Sequence, residues 1–425
     1  MNRISTLVHC FVFLGLFGLA ATADLWMNTK GETAKPIEVI ALNEDEISET
    51  NAEQTAVDIE AIVIPPLVIE QLYQVITDEK DINKHQWFET STPMEKLAIL
   101  HKLVKQLHVN KQYRVIVNLL QTQPENSLEQ VRFYYGLALS KLGNAQGAIK
   151  QYQAHIELYP NHQSATLNLG LLLKKAKSYE KAVVILTKAV DISSGRKKAK
   201  ALALLAASQQ QLGNKKVAEE HYSKSIEYRP NHAATWLKLA NIMAELNRPR
   251  EEVEKTFKRA IALDKKQLNA WLKFGKYALQ NGKFSLAENT LTRALHLSSE
   301  HQDVRLQLAW ALSEKSNWQA AKQHWSWLQH QSTSFEVQVL ASHFYSAITE
   351  QSTTQLHPLP DNDQGQYASY FITKLQGYAQ AKSEADATTK LERIKKGSDW
   401  HHRASIQLEQ LKSGSWQDTQ LVNKN

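Results

Sequence analysis

Residues 236–257 read WLKLANIMAELNRPREEVEKTF and residues 271–291 read WLKFGKYALQNGKFSLAENTL, the same succession of large apolar, small and charged side chains returning after 35 positions. Self-similarity at such an interval is the mark of a repeat array, and it decides the fold of every element around it. Working outward, small residues stand at Gly136, Gly170, Ala206, Ala240, Gly275 and Ala309, at intervals of 34 to 36. A second row, Ala148, Ala182, Ala218, Val253, Ala287 and Ala321, keeps step with the first. Four residues after each comes a large apolar side chain: Tyr152, Leu186, Tyr222, Phe257, Leu291 and Trp325. Pro160 and Pro230 close their units, with Ser194, Lys265 and Ser299 in the corresponding slots.

These residue types have a physical reason to recur. A single helix pair cannot bury its apolar face alone, so it must stack on the next pair. Gly or Ala lets two helix backbones approach, and Trp, Leu, Tyr and Phe fill the space around them. Leu142-Gly143-Asn144, Leu212-Gly213-Asn214 and Asn281-Gly282-Lys283 supply the conformation that a helix end needs. Between Asn247 and Glu252 the turn is one residue longer and carries Pro249, a local adjustment.

The pattern resembles the tetratricopeptide repeat family, whose signature runs W-x2-L-G-x2-Y, then A-x3-F, then P. Trp271, Phe274 and Gly275 nearly spell its opening, Trp236, Leu239 and Ala240 repeat it, and Ala287 with Leu291 matches its second half. Six units run from Glu129 to His330, and a degenerate seventh precedes them around Met94 to Pro124, with Tyr113 and Leu120 on its second helix. The fold expected is an all-α solenoid of the tetratricopeptide type. The resemblance implies a right-handed superhelix whose first helices line a concave groove.

Carried over slot by slot, that groove presents Asn168, Lys238, Lys273 and Gln307 in one row and Leu171, Asn241, Lys276 and Trp310 in the next, with Lys174 and Lys175 one turn further on. Lys238 with Asn241, and Lys273 with Lys276, are three apart and share a face. Ammonium and amide donors converging on carboxylate oxygens suit an acidic or C-terminal peptide, and Trp310 offers a flat apolar contact. Ala203, Leu204 and Ala207 interrupt the cationic set, so it departs from the carboxylate-binding pattern of some family members. A merely solvated basic face, and occupation of the groove by the chain's own acidic arm, stand beside the peptide reading. Trp236 and Trp271 occupy core slots, and Trp318, Trp325 and Trp327 crowd the last clear unit, where an array needs sealing.

The 425 residues are 43% hydrophobic and 22% charged, a balance that excludes a disordered or collagenous chain. Residues 1–23 have the build of a signal peptide: Arg3, the apolar run Phe11 to Ala21, then Ala21-Thr22-Ala23 before Asp24. The alternative is an uncleaved anchor over residues 4–21. Cys10 is the single cysteine, so the chain after it has neither a disulfide nor a thiolate. Residues 24–90 form an acidic arm with 4 Lys/Arg against 15 Asp/Glu, residues 91–330 a basic array with 36 against 18, and residues 331–425 are nearly balanced.

The arm is expected to be largely disordered. Its end, Ile62 to Ile69, is broken by Pro65 and Pro66 and is expected to be extended, as a docking strand or as a clasp on the first helix. Helices are expected over Phe335 to Glu350, Gln366 to Ala385 and Asp399 to Lys412, forming a cap or a small accessory module.

No phosphate-binding loop, nucleophile elbow, dinucleotide fingerprint or HExxH occurs, and His401-His402 are adjacent rather than a helical turn apart. The sequence therefore points to a non-enzymatic, exported, periplasmic adaptor for an envelope assembly, secretion or polysaccharide-export complex. No cofactor, metal or nucleic acid is expected, and membrane contact only if the N-terminal segment is retained. The alternatives are direct binding of an anionic polysaccharide along the basic array, or an accessory role beside an enzyme.

Overall fold

A computed structural model describes residues 62–78, 80–125, 128–129, 131–349 and 356–375, with isolated positions between 388 and 409. The expected signal segment, most of the acidic arm and most of the third C-terminal helix lie outside the described residues. All described residues fall in one unit, Ala52–Asn425. Among them the secondary structure is helical throughout.

Helix α1 (Pro66–Thr77), a 3-10 turn at Ile82–Lys84 and α2 (Gln86–Thr90) precede the array. The degenerate unit is α3 (Pro93–Val109) with α4 (Tyr113–Gln121). Six pairs follow: α5 (Arg132–Lys141) with α6 (Ala145–Leu158), α7 (Gln163–Lys175) with α8 (Tyr179–Ile192), and α9 (Gly195–Gln211) with α10 (Lys215–Tyr228). Then come α11 (Ala233–Glu245) with α12 (Arg250–Leu263), α13 (Leu268–Gln280) with α14 (Phe284–Leu297), and α15 (Gln302–Glu314) with α16 (Trp318–Gln331). Helices α17 (Phe335–Thr349) and α18 (Asp363–Leu375) close the described part.

The two small-residue rows do what their size allows. Ala148, Ala182, Ala218, Val253, Ala287 and Ala321 are all fully buried, and so are Leu186, Leu291 and Trp325 four residues beyond their partners. The turn inside each pair always places one residue in the left-handed region, whether glycine (Gly143, Gly213, Gly282) or not (Lys177, Asn247, Ser316). Glycine takes that conformation without a steric cost, and the others carry one of about 1–2 kcal/mol.

Three units are clipped to the next by the same device. Glu219, Glu254 and Glu288 each follow the second small slot, and they pair with Arg248 (2.6 Å), Lys283 and Lys315 (2.5 Å) from the turn of the succeeding unit.

The Ile62 to Ile69 segment is extended only as far as Pro65; Pro66 opens α1, so Leu67, Val68 and Ile69 are helical, contrary to the expectation of an extended strand. The physical reason is that proline at the first helical position loses no hydrogen bond and already has the helical φ. Val68, Leu72 and Ile76 are buried in one cluster with Ile99, Leu100 and Leu103 of α3. Lys102 Nζ donates to Ile62 O at 2.9 Å and Tyr73 Oη to Gln112 Oε1 at 2.6 Å, so the segment is a clasp on the first unit.

The last unit is sealed by aromatics. Trp325 stacks on Phe344 of α17 at 4.4 Å between centroids with an interplanar angle of 10°, and Trp310 meets Phe344 edge-on at 4.9 Å. Trp318 and Trp327 pack on the same cluster. The cap expected from the crowding of tryptophans is what α17 and α18 provide.

Candidate functional site: the wall of first helices

Helix α7 packs on α9, α11 on α13, and α13 on α15, so the first helices of successive pairs are neighbours along one wall. The carried-over positions recur on these helices at the same slot of each turn, yet their fates differ.

Lys174 of α7 lies near enough to Lys238 of α11 for its charge to act on it. Burial and the charge of Lys174 lower the pKa of the Lys238 ammonium, while burial and Lys175 lower that of Lys174. Lys238 is exposed and Lys174 half-buried. Two cations that repel each other across α9 are a place where an anion gains from both. Among the described residues no carboxylate forms an ion pair with Lys174, Lys175, Lys238 or Lys273. Between them α9 contributes Ala203, Leu204 and Ala207, an aliphatic strip rather than further donors.

The remaining positions are differently engaged. Asn168 is half-buried and its Nδ2 donates to Tyr152 Oη of the preceding pair at 3.3 Å. Asn241 is half-buried on the same helix as Lys238. Lys276 is neutralised by Asp303 of α15 at 2.7 Å, and Gln307 Nε2 donates to the other oxygen of that carboxylate at 3.3 Å. Trp310 does not line the wall: its exposed fraction is 0%, because Phe344, Tyr367 and Trp400 close around it. The expectation of a flat apolar contact at Trp310 is therefore corrected. In the last unit that slot faces the cap instead of an open groove. The cationic reach of the wall is thus Lys174, Lys175, Lys238 and Lys273, and it ends at the Lys276–Asp303 pair.

Two arrangements escaped the sequence reading. The residue four before the first small slot anchors the preceding loop: Trp236 Nε1 donates to Pro230 O (2.7 Å), Trp271 Nε1 to Lys265 O (2.9 Å) and Arg305 Nη2 to Ser299 O (2.7 Å). The constant offset of six residues was available as a signal, but tryptophan and arginine do not look alike. The other is a close pair, the buried His155 and the half-buried His162, with centroids 4.7 Å apart. His162 looks like a residue that merely follows a proline until α7 is seen to begin on it. Among the described residues no group of three or more His, Cys, Asp or Glu is gathered as a metal centre would require.

Antiparallel helix pairs that repeat along a chain and present one lined wall define a helical-repeat interaction scaffold. The chain carries tetratricopeptide repeats: models of the tetratricopeptide repeat match residues 136–197 and 272–323, and a further one residues 199–232. Protein O-mannosyl-transferase TMTC3 of Homo sapiens is 29% identical over 155 residues, which are 36% of this chain and 16% of that protein. The chain thus matches about a sixth of that relative's length.

Among solved structures, a tetratricopeptide repeat protein from Parabacteroides merdae is 12% identical, with 62% of this chain and 98% of that one covered and a TM-score of 0.43. YrrB, described as a TPR protein with an unusual peptide-binding site, is 17% identical, with 45% and 96% covered and a TM-score of 0.39. MamA is 19% identical, with 39% and 94% covered and a TM-score of 0.36.

Proposed function

We propose that this scaffold works in the bacterial periplasm and holds an acidic peptide segment of a protein partner along the wall formed by α7, α9, α11 and α13, within an envelope assembly, secretion or polysaccharide-export complex. It contributes no catalytic residue. The observation that carries the reading is the pair Lys174 and Lys238, two cations held against their mutual repulsion with no carboxylate of the described residues beside them. An acidic side chain or chain terminus supplies the missing countercharge, and the aliphatic strip of α9 supplies an apolar contact between the two cations. Export rests on the three-part build of residues 1–23.

The test is affinity capture from detergent-solubilised envelope by the full chain carrying a C-terminal tag, beside Lys174→Glu with Lys238→Glu. A discrete protein set retained by the wild type and lost by the variant supports the reading. Equal capture by both removes the wall from consideration. Retention of polymer alone, released steeply by salt, replaces it with polysaccharide binding, for which the cationic excess of residues 91–330 is the supporting observation.

A further inference from the structure

The slot seven residues after the second small row is Ala189, Ser225, Ala260, Ala294 and Leu328 in five units, all buried where the next pair stacks. In the first of the six units it is His155, 5% exposed, and neither of its ring nitrogens has a hydrogen-bond partner. Its ring meets that of His162 edge-on at 4.7 Å and that of Tyr159 at 4.9 Å. Phe133 of α5 lies against both histidines, 4.7 Å from His162 and 5.9 Å from His155. His162 begins α7, its Nδ1 accepting the backbone N–H of Ala165 at 3.1 Å, so this nitrogen must carry no proton for the cap to exist.

The charged and titratable groups facing the pair are unsuited to a second charge. From α5 comes Arg132, whose guanidinium bonds Gln151 Oε1 (3.2 Å) and Glu125 O (3.1 Å), and from α9 comes Lys197. Glu129 is taken by Tyr159 Oη at 3.3 Å. A positive His162 would also sit at the positive end of the α7 dipole.

We propose that the junction of α6 with α7 is a proton-sensitive joint, in which protonation of His155 and His162 breaks the α7 cap and loosens the α7–α8 pair from the α5–α6 pair. Burial, then the neighbouring His162 and Arg132, push the His155 pKa down to about 3. Burial and Lys197, against a smaller opposing backbone hydrogen bond, push that of His162 down to about 4. Both folded-state values lie below the unfolded value near 6.5, so the joint is fully stable above that pH and loses stability as the pH falls from there toward 4. Because Lys174 stands on α7, acid would disturb the cationic wall at its first element.

The test is amide hydrogen exchange on the full chain between pH 7.5 and 5, corrected for intrinsic rates. Protection in α6 and α7 should fall by about tenfold per histidine for each pH unit below 6.5. Residues 250–280, which contain no histidine, serve as the reference. His155→Ala with His162→Asn, which restores the alanine of other units and keeps a capping acceptor, should abolish the fall. Unchanged protection in α6 and α7 relative to the reference, or the same fall in the variant, overturns the proposal. If the variant does not fold, imidazole titration by NMR on the wild type decides: values near 6.5 for both rings overturn it, and values well below support it.

Discussion

Leu291 occupies the space that Gly275 leaves empty: a Cβ on Gly275 would stand 2.5 Å from Leu291 Cγ. Gly170 has the same relationship with Leu186, whereas at Gly136 the flat ring of Tyr152 would be 3.1 Å away. Where the first slot is alanine, at Ala206, Ala240 and Ala309, the facing large residue is Tyr222, Phe257 or Trp325, an aromatic in every case. Gly275→Ala should therefore destabilise, the overpacking of about 1–3 kcal/mol exceeding the helix-propensity gain of about 0.5–1 kcal/mol. Gly136→Ala should cost less. Combining Gly275→Ala with Leu291→Phe should recover part of the loss, as urea unfolding of the three variants would reveal.

Phe344→Ala should open the seal. The side chain is fully buried between Trp310 and Trp325, and its removal is expected to cost about 3–5 kcal/mol locally. Tryptophan emission should shift to the red and accessibility to quenchers should rise, while exchange in α5–α8 stays unchanged. A variant with wild-type emission and quenching would show that α17 does not close the array.

Acid should weaken the last unit through His324. Burial and the nearby Arg305 guanidinium, 3.4 Å from His324 Nδ1, hold its pKa down to about 4. The folded value lies below the unfolded one, so the stabilisation is complete above pH 6.5 and declines as the pH falls toward 4. At pH 5 the loss should reach up to about 2 kcal/mol. His324→Gln should show a smaller difference between urea midpoints at pH 7 and pH 5, read by tryptophan fluorescence; an equal difference would exclude His324 as the source.

The three inter-unit clips should be modest singly. Exposed ion pairs are worth about 0–1 kcal/mol. Arg248 makes a two-pronged contact with Glu219, and should give the largest coupling in a double-mutant cycle. All three couplings should shrink in molar salt. A coupling at Arg248–Glu219 indistinguishable from zero would mean that the clips set register without adding stability.

The repeat was legible because its cause is local and periodic: a helix pair with a small residue where backbones touch writes the same spacing six times. Ahead of the six units, Leu120 of α4 is buried. Slot-by-slot transfer failed where the array stops. Trp310 has the same address as Asn241 and Lys276, yet it faces α17 and α18, and no pattern inside a repeat says which unit is the last. Lys276 was misjudged because its partner, Asp303, sits 27 residues away in the next unit, at a distance that only packing defines. Proline at 65 and 66 was read as a helix breaker when the second of the two is a helix starter. The difference depends on which residues after it find a core, and Val68, Leu72 and Ile76 do.

The clips between Glu219 and Arg248, Glu254 and Lys283, and Glu288 and Lys315 have a mechanical consequence. Each lies across one seam only, so tension along the chain is borne by the seams in series and not shared among them. The weakest seam then sets the rupture force. The two seams between α5 and α10 have no Glu in the clip slot, since Ile149 and Val183 stand there. The order in which seams yield is then set first by how the helices of each seam pack and only secondarily by the clip, which adds at most about 1 kcal/mol.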